Sequence, residues 1–135
     1  VTDLKTSRSA DGIELLAARS QILLAARAAG IDALDTVFSD INDTEGFANE
    51  VKLIRKMGFD GKSIINPRQI EIVHQIYRPS ESEITKSLRI IKAFKEAEKK
   101  GSGVISLDGK MIDKPIVERA RRVLELAEAA KVVME

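Results

Sequence analysis

The sequence predicts an α/β fold followed by a helix–hairpin–helix tail. Three observations carry that reading. Two short, apolar, β-branched runs, residues 33–38 and 62–65, alternate with helical patterns in the order helix, strand, helix, strand, helix. Such alternation builds a parallel sheet. Only two buried strands are visible, and two parallel strands do not make a stable sheet. The pair therefore reads as the C-terminal part of a larger sheet or barrel. The third observation is residues 101–115, where a helix stops at Gly101 and a strand turns at Asp108 and Gly109. The chain returns through Met111 and Ile112 and meets a new helix opened by Pro115. On this reading residues 1–79 form the sheet-building part and residues 80–135 a helical extension with a hairpin arm.

Each element has a local reason. Asp11 followed by Glu14 reads as a capping-box-like start of the first helix. Apolar and Ala positions then run from Ile13 to Ala29, and Gly30 supplies a stop. The helix face is broad (Leu15, Leu16, Ile22, Leu23, Ala26), as suits packing on a sheet. Residues 39–43 form a polar loop after the first strand. A second helix spans about Thr44 to Met57, closed by Gly58. Asn66 as cap, Pro67 at the first helical position and Gln69 three residues after the cap open a third helix. Ile70, Val73, His74 and Tyr77 lie along it. Ser80 and Glu83 cap the fourth helix in the same way, with Ile84, Leu88, Ile91 and Phe94 as its stripe. That helix is expected to reach Lys100. The last runs from Pro115 to about Ala130 with Ile116, Ala120, Val123, Leu124 and Ala127 inward.

Bulk properties exclude several functions. The 135 residues suffice for one modest domain with a core. A net charge of +1, from 22 basic and 21 acidic residues, offers no field to grip nucleic acid or an anionic membrane. Aromatic content of 4% without Trp gives no base-stacking platform. The lack of cysteine excludes disulfides and thiolate metal sites and fits a cytoplasmic location. No apolar run approaches the ~18 residues of a membrane span, and the first residues lack the pattern of a signal peptide. Without an initiator Met, the chain is expected to begin in mid-protein.

A few residues stand out chemically. Asp40 and Asp43 follow the first strand, and loops at the C-terminal ends of barrel strands build active sites. Paired carboxylates there can take a hard cation. Asp43 reads as the cap of the helix at Thr44, whereas Asp40 stands open between a plain loop residue and one lining a substrate mouth. Asn66 precedes a helix whose free backbone N–H groups can bind an anion, although capping also accounts for it. By position Asp113 caps the helix started by Pro115. His74, the only histidine, reads as structural or solvated. Arg8 and Arg19 could meet phosphate or carboxylate, but solvated surface cations are the favoured reading. Gly12, Gly30, Gly58 and Gly61 read as caps and turns, not a phosphate loop.

Four stretches, taken in order, resemble the C-terminal half of the citrate lyase β-subunit family, within the aldolase/citrate-lyase barrel group. They are SQILLAARAAGI at 20–31, DTVFSDINDTEGF at 35–47, GFDGKSIINPRQI at 58–70 and LDGKMIDKP at 107–115. The resemblance implies a (βα)8 TIM-type barrel, of which the two strands here are the last two. It also implies a Mg-dependent lyase that cleaves a citryl thioester, on acyl carrier protein or CoA, to oxaloacetate and an acetyl thioester. The Mg ligands would lie upstream of this chain, and Asp3 is not promoted to one. Asp113 matches a family acid on the C-terminal arm that reaches a neighbouring subunit's active site, so it is expected to be catalytic. Asp40 and Asn66 are expected to bind substrate. Expected partners are the other citrate lyase subunits, including the acyl carrier protein, and further copies of the chain in a trimer. The chain alone is expected to be inactive. The rivals are a malyl- or citramalyl-CoA lyase of the same group and a noncatalytic interaction module.

Overall fold

Period-two alternation decides which residues of the first strand are buried. Ala33 and Asp35 are buried while Leu34, between them, is 65% exposed. The structure is a computed structural model and describes residues 5–9, 11–99 and 105–130. Asp3, the expected helix stop at Gly101 and the expected last residue of the fourth helix, Lys100, lie outside those residues. The chain divides into two units, residues 1–77 and 78–135.

In the first unit α1 (Ile13–Ala29) leads into β1 (Leu34–Asp35), then α2 (Thr44–Met57), β2 (Gly61–Lys62) and α3 (Arg68–Tyr77). β1 and β2 pair in parallel, Leu34 opposite Gly61 and Asp35 opposite Lys62. Both strands are shorter than expected. The ladder ends where Ser63 N–H donates to Asp35 O at 2.9 Å; beyond it, side chains rather than a neighbouring strand take up the β1 backbone. A core forms from Leu23 and Ala26 of α1, Ala33, Ile54 of α2 and Phe59, with Met57 and Tyr77 packed against it. Gly58 makes the turn that sends Phe59 inward. Its φ of 111° suits glycine, and Phe59 N–H reaches back to Ile54 O at 3.0 Å.

The start and face of α1 differ from expectation. Its cap position is Gly12, left-handed and without a side-chain cap bond. Ser9 supplies the local order instead: its N–H donates to Glu14 Oε1 at 3.1 Å, and its hydroxyl bonds Asp11 at 2.7 Å and also Glu14. The buried side chains are Arg19, Leu23 and Ala26. Leu16 and Ile22, expected inside, are exposed. α2 keeps its expected bounds, with Asp43 Oδ1 accepting from Gly46 N–H at 2.8 Å as its cap.

In the second unit α4 (Glu81–Lys99), β3 (Ile105–Leu107), β4 (Lys110–Ile112) and α5 (Lys114–Ala129) form a helix–hairpin–helix. Ser80 and Glu83 make a reciprocal capping box: Ser80 N–H donates to Glu83 Oε2 at 2.9 Å, and Glu83 N–H donates to Ser80 Oγ at 3.2 Å. The hairpin turns on two left-handed residues, Asp108 (φ 52°) and Gly109 (φ 74°). A two-residue turn of this type matches the twist of antiparallel strands. The arm is folded down rather than free. Ile112 packs with Ile90 of α4 and Val117 and Ala120 of α5, and Ile105 and Leu107 close over them. The α4 stripe is rotated from expectation, burying Ile84, Ser87 and Ile90 and leaving Leu88 exposed.

Ile13, Ile22, Leu24, Ile31 and Leu34 are all more than half exposed, and β1–β2 pair only with each other among the described residues. Open strand edges and contiguous apolar surface drive association. These 135 residues expressed alone should therefore sediment as more than one 14.9 kDa chain; a monodisperse monomer by light scattering would contradict this.

Candidate functional site

Two parallel strands deliver their following loops to one end of the sheet, and that end is where β1 and β2 place residues 36–43 and 63–67. Three consecutive carbonyls leaving β1 are each held by a side chain from a different part of the unit. Lys62 Nζ donates to Thr36 O at 2.8 Å. Arg8 Nη1 donates to Val37 O at 3.1 Å. Gln69 Nε2 donates to Phe38 O at 3.3 Å. This is why the strand ends at Asp35 although apolar residues continue to Phe38: the ladder gives way to side-chain donors.

Beneath that loop lies a buried network of charges. Arg19 grips Asp35 with a two-pronged fork, Nε to Oδ1 at 2.9 Å and Nη2 to Oδ2 at 2.8 Å. Lys62 Nζ meets Asp35 Oδ2 at 2.8 Å and Glu50 Oε1 at 2.6 Å. Arg19 also stands 3.1 Å from Glu50 Oε2, and Arg8 bonds the same oxygen. Arg8 lies over the Phe38 ring, 5.0 Å from its centroid. The side chains of Arg19, Asp35 and Lys62 are at most 4% exposed. Arg19 is thus no surface cation, and Arg8 is no free one.

Burial pushes the Asp35 carboxyl up, but hydrogen bonds from Arg19 and Lys62 and their charges outweigh it, holding it below the usual carboxylate value. The same contest, with bonds from Lys62, Arg8 and Arg19, holds Glu50 low. Burial opposes the charge on Arg19, and bonds to Asp35 and Glu50 more than restore it. Tyr77 donates to Phe59 O at 3.1 Å, and burial, helped by the charges of Asp35 and Asp60, raises its hydroxyl to about 12.

The residues expected from sequence stand as follows. Asp40 is exposed on the first loop, where Oδ1 accepts from Asn42 N–H at 2.9 Å and Asp43 N–H at 3.3 Å. Asn66 is half-buried on the second loop, and its Oδ1 accepts from Arg68 N–H at 3.0 Å. Gln69, buried, joins the two loops. Its Oε1 accepts from Ile65 N–H at 3.1 Å and Asn66 N–H at 3.3 Å, while Nε2 reaches Phe38. Asp113 belongs to the second unit, exposed, with Oδ1 accepting from Ile116 N–H at 3.1 Å as the cap of α5. His74 is exposed on α3. Among the described residues no group of three or more His, Asp or Glu side chains could hold a metal ion. The residues present therefore do not fit a Mg site of their own. No helix is long and apolar enough to cross a membrane among those residues.

Sequence reasoning overlooked Asp35, Glu50 and Lys62 and misread Arg19. A signal was available. Asp35 is in phase with Ala33 on a period-two strand, and Arg19 is in phase with Leu23 and Ala26 on α1. An acid and a base at core-facing positions of adjacent elements read as a buried pair.

Residues 1–67 match the sequence pattern of the HpcH/HpaI aldolase/citrate lyase family. The chain is 58% identical over 132 residues to citrate lyase subunit beta of Leuconostoc mesenteroides subsp. cremoris, covering 98% of this chain and 44% of that protein. The chain belongs to the HpcH/HpaI aldolase/citrate lyase family. It is also 42% identical to a (3S)-malyl-CoA thioesterase of Cereibacter sphaeroides, over 88% of this chain and 42% of the relative. Among solved structures it is similar to the protein CitE from Mycobacterium tuberculosis in complex with magnesium, acetoacetate and coenzyme A. The TM-score is 0.69 at 36% identity, covering 91% of this chain and 46% of the other. The chain thus spans less than half the length of the relatives it matches.

The ion network sets an acid limit on stability. Asp35 and Glu50 both titrate lower in the folded chain than their ordinary values of 3.8 and 4.5. Unfolding at low pH then takes up protons, so stability rises with pH across this range. It should be fully present above about pH 5 and fall progressively as the pH drops below the ordinary carboxylate values. Thermal melts from pH 7 to pH 3 check this, and Glu50→Gln should flatten part of the slope.

Proposed function

We propose that the intact protein containing this chain is a carbon–carbon lyase that cleaves a citryl thioester, on acyl carrier protein or CoA, to oxaloacetate and an acetyl thioester. The observation that carries this reading is the 58% identity to a citrate lyase β subunit across nearly the whole chain. In the reaction a base removes the proton of the tertiary hydroxyl. The adjacent C–C bond breaks, leaving the oxaloacetate carbonyl and a thioester enolate, and an acid then protonates that enolate. Mg²⁺ would be held by carboxylates outside this chain. The (βα)8 barrel is part of the proposal: β1 and β2 would be its last two strands, with the exposed Leu34 face turned to the interior and α4 to α5 an extension. Support for this comes from the parallel pair, its buried helix-facing side and its bare opposite side.

Asp40 and Asn66 then line the substrate mouth, because both stand on loops at the C-terminal ends of these strands, the end that carries barrel active sites. Asp113 takes one of the two proton transfers, donated across a subunit interface in a trimer. Its exposure supports this, as does an Oδ2 that carries no hydrogen bond among the described residues. The partners are the remaining citrate lyase subunits, including the acyl carrier protein. A malyl-CoA substrate is the competing reading, favoured by the Cereibacter sphaeroides relative.

Two outcomes are expected of the intact protein. Offered citryl, citramalyl and malyl thioesters with Mg²⁺, it should release oxaloacetate from the first at the highest kcat/KM. Preferential cleavage of the malyl thioester would transfer the assignment to the rival. Asp113→Asn should lower turnover by about 10²–10⁴-fold, the usual worth of a general acid or base. The melting temperature should stay put, because Asn caps a helix as well as Asp does. Near-normal turnover would remove Asp113 from the chemistry.

A further inference from the structure

We infer that Gln69 is a positioning residue for the substrate mouth, fixing the loop that carries Asp40 against the loop that carries Asn66. The inference rests on the proposed role of those two loops and names the part that sets their spacing. Three bonds from one amide make the connection. Oε1 accepts from the backbone N–H groups of Ile65 and Asn66 at 3.1 and 3.3 Å, and Nε2 donates to Phe38 O at 3.3 Å. The first two are what a helix cap needs: a Gln three residues after Asn66 closing back on its N–H. The third is not. It crosses 31 positions of sequence to the other loop, and no capping motif calls for it.

Burial gives that third bond weight. Gln69 is 5% exposed, so an unmet donor or acceptor on its amide could not turn to water. The neighbouring carbonyls of Thr36 and Val37 are tied to Lys62 and Arg8. Phe38 is thus the last held residue before the free stretch that reaches Asp40. Moving Phe38 O shifts the base of that stretch; moving Ile65 and Asn66 shifts the other loop. A single rigid amide does both at once, and its planar geometry fixes the direction as well as the distance. The shape of the mouth then depends on a side chain that itself need not touch substrate.

The test uses the intact protein with Gln69→Glu and Gln69→Leu. Gln69→Glu is nearly isosteric and keeps the acceptor facing Ile65 and Asn66, but it sets a carboxylate oxygen against Phe38 O where a donor stood. It should raise KM for the cleaved thioester roughly three- to tenfold, the worth of one neutral hydrogen bond, with kcat changed less than about twofold. Backbone amide exchange should speed up in residues 39–43. Gln69→Leu removes all three bonds and should do more on both readouts; should it fail to fold, Gln69→Glu decides alone. A purely structural role would lower the melting temperature while leaving KM and loop exchange at parent values, and that result overturns the inference. Should the parent protein cleave no thioester, the functional reading fails by itself. The exchange measurement still judges the coupling, since unchanged exchange in residues 39–43 refutes it and faster exchange upholds it.

Discussion

Lys62 is the residue on which the first unit turns. An ammonium group has three donors, and here they meet Asp35, Glu50 and the carbonyl of Thr36. Its side chain is fully buried, so each bond is made without competition from water. Those partners lie on β1, on α2 and at the start of the first loop, and Arg19 adds α1 through the same Asp35 carboxylate. Among the described residues the cluster sums to three cations against two acids, and Arg19 Nη1 is buried without a partner there. Gly12 sits against that nitrogen, where a Cβ would come within 3.3 Å. Such a network is a poor source of stability, because desolvating the ions consumes much of what they gain by pairing. Removing a single member would still cost about 3–5 kcal/mol by stranding the others. What the network supplies is geometry: one arrangement of four elements satisfies it, and a slip of the strand register would take Lys62 away from Asp35.

That geometry explains why the sheet is so small and the loops so well held. Beyond Asp35 the β1 backbone no longer pairs with β2. Cationic and amide donors from three places take its carbonyls in succession. The Phe38 ring is packed edge-on to Phe47 at 5.9 Å and covered by Arg8, which keeps the loop from lifting. Short strands with side-chain-tethered loops keep the backbone in place while leaving the loop residues beyond Phe38 open.

Much of this was legible in the sequence, and the rest was hidden for a physical reason. Apart from α1, where Gly12 takes the position expected of an Asp11 cap, helix bounds and caps follow from local chemistry, and Asp43, Ser80 with Glu83, Gln69 and Asp113 cap as their spacing suggests. The hairpin follows from Asp108 and Gly109 alone. Strand lengths and the α1 face do not, because both depend on distant partners. Residues 36–38 are apolar enough for a strand, yet their carbonyls go to Lys62, Arg8 and Gln69. Arg19 looks like a solvated cation until Asp35 is placed opposite it. Leu16 and Ile22 look like core, and in this chain nothing among the described residues covers them. Asn66 and Asp113 were legible as caps and Asp40 only as a loop residue; Gln69 was legible as a cap too, but its bond to Phe38 was not.

Capping and chemistry are therefore not competing explanations for the same residues. Asp40 and Asp113 each use Oδ1 to receive backbone N–H groups from the next turn, and each has an Oδ2 without a hydrogen bond among the described residues. Asn66 does the same, with Oδ1 on Arg68 N–H and Nδ2 unbonded among those residues. A side chain tied by one polar atom to its own backbone has already lost most of its rotamer freedom. The remaining atom can then meet a ligand with less further ordering, and ordering a free side chain costs roughly 0.5–1.5 kcal/mol on binding. A local turn motif that a sequence alone favours as a plain cap is thus also a means of aiming a polar atom. For Asp113 this makes the cap and the proposed acid separable by one change: Asn keeps the first and loses the second.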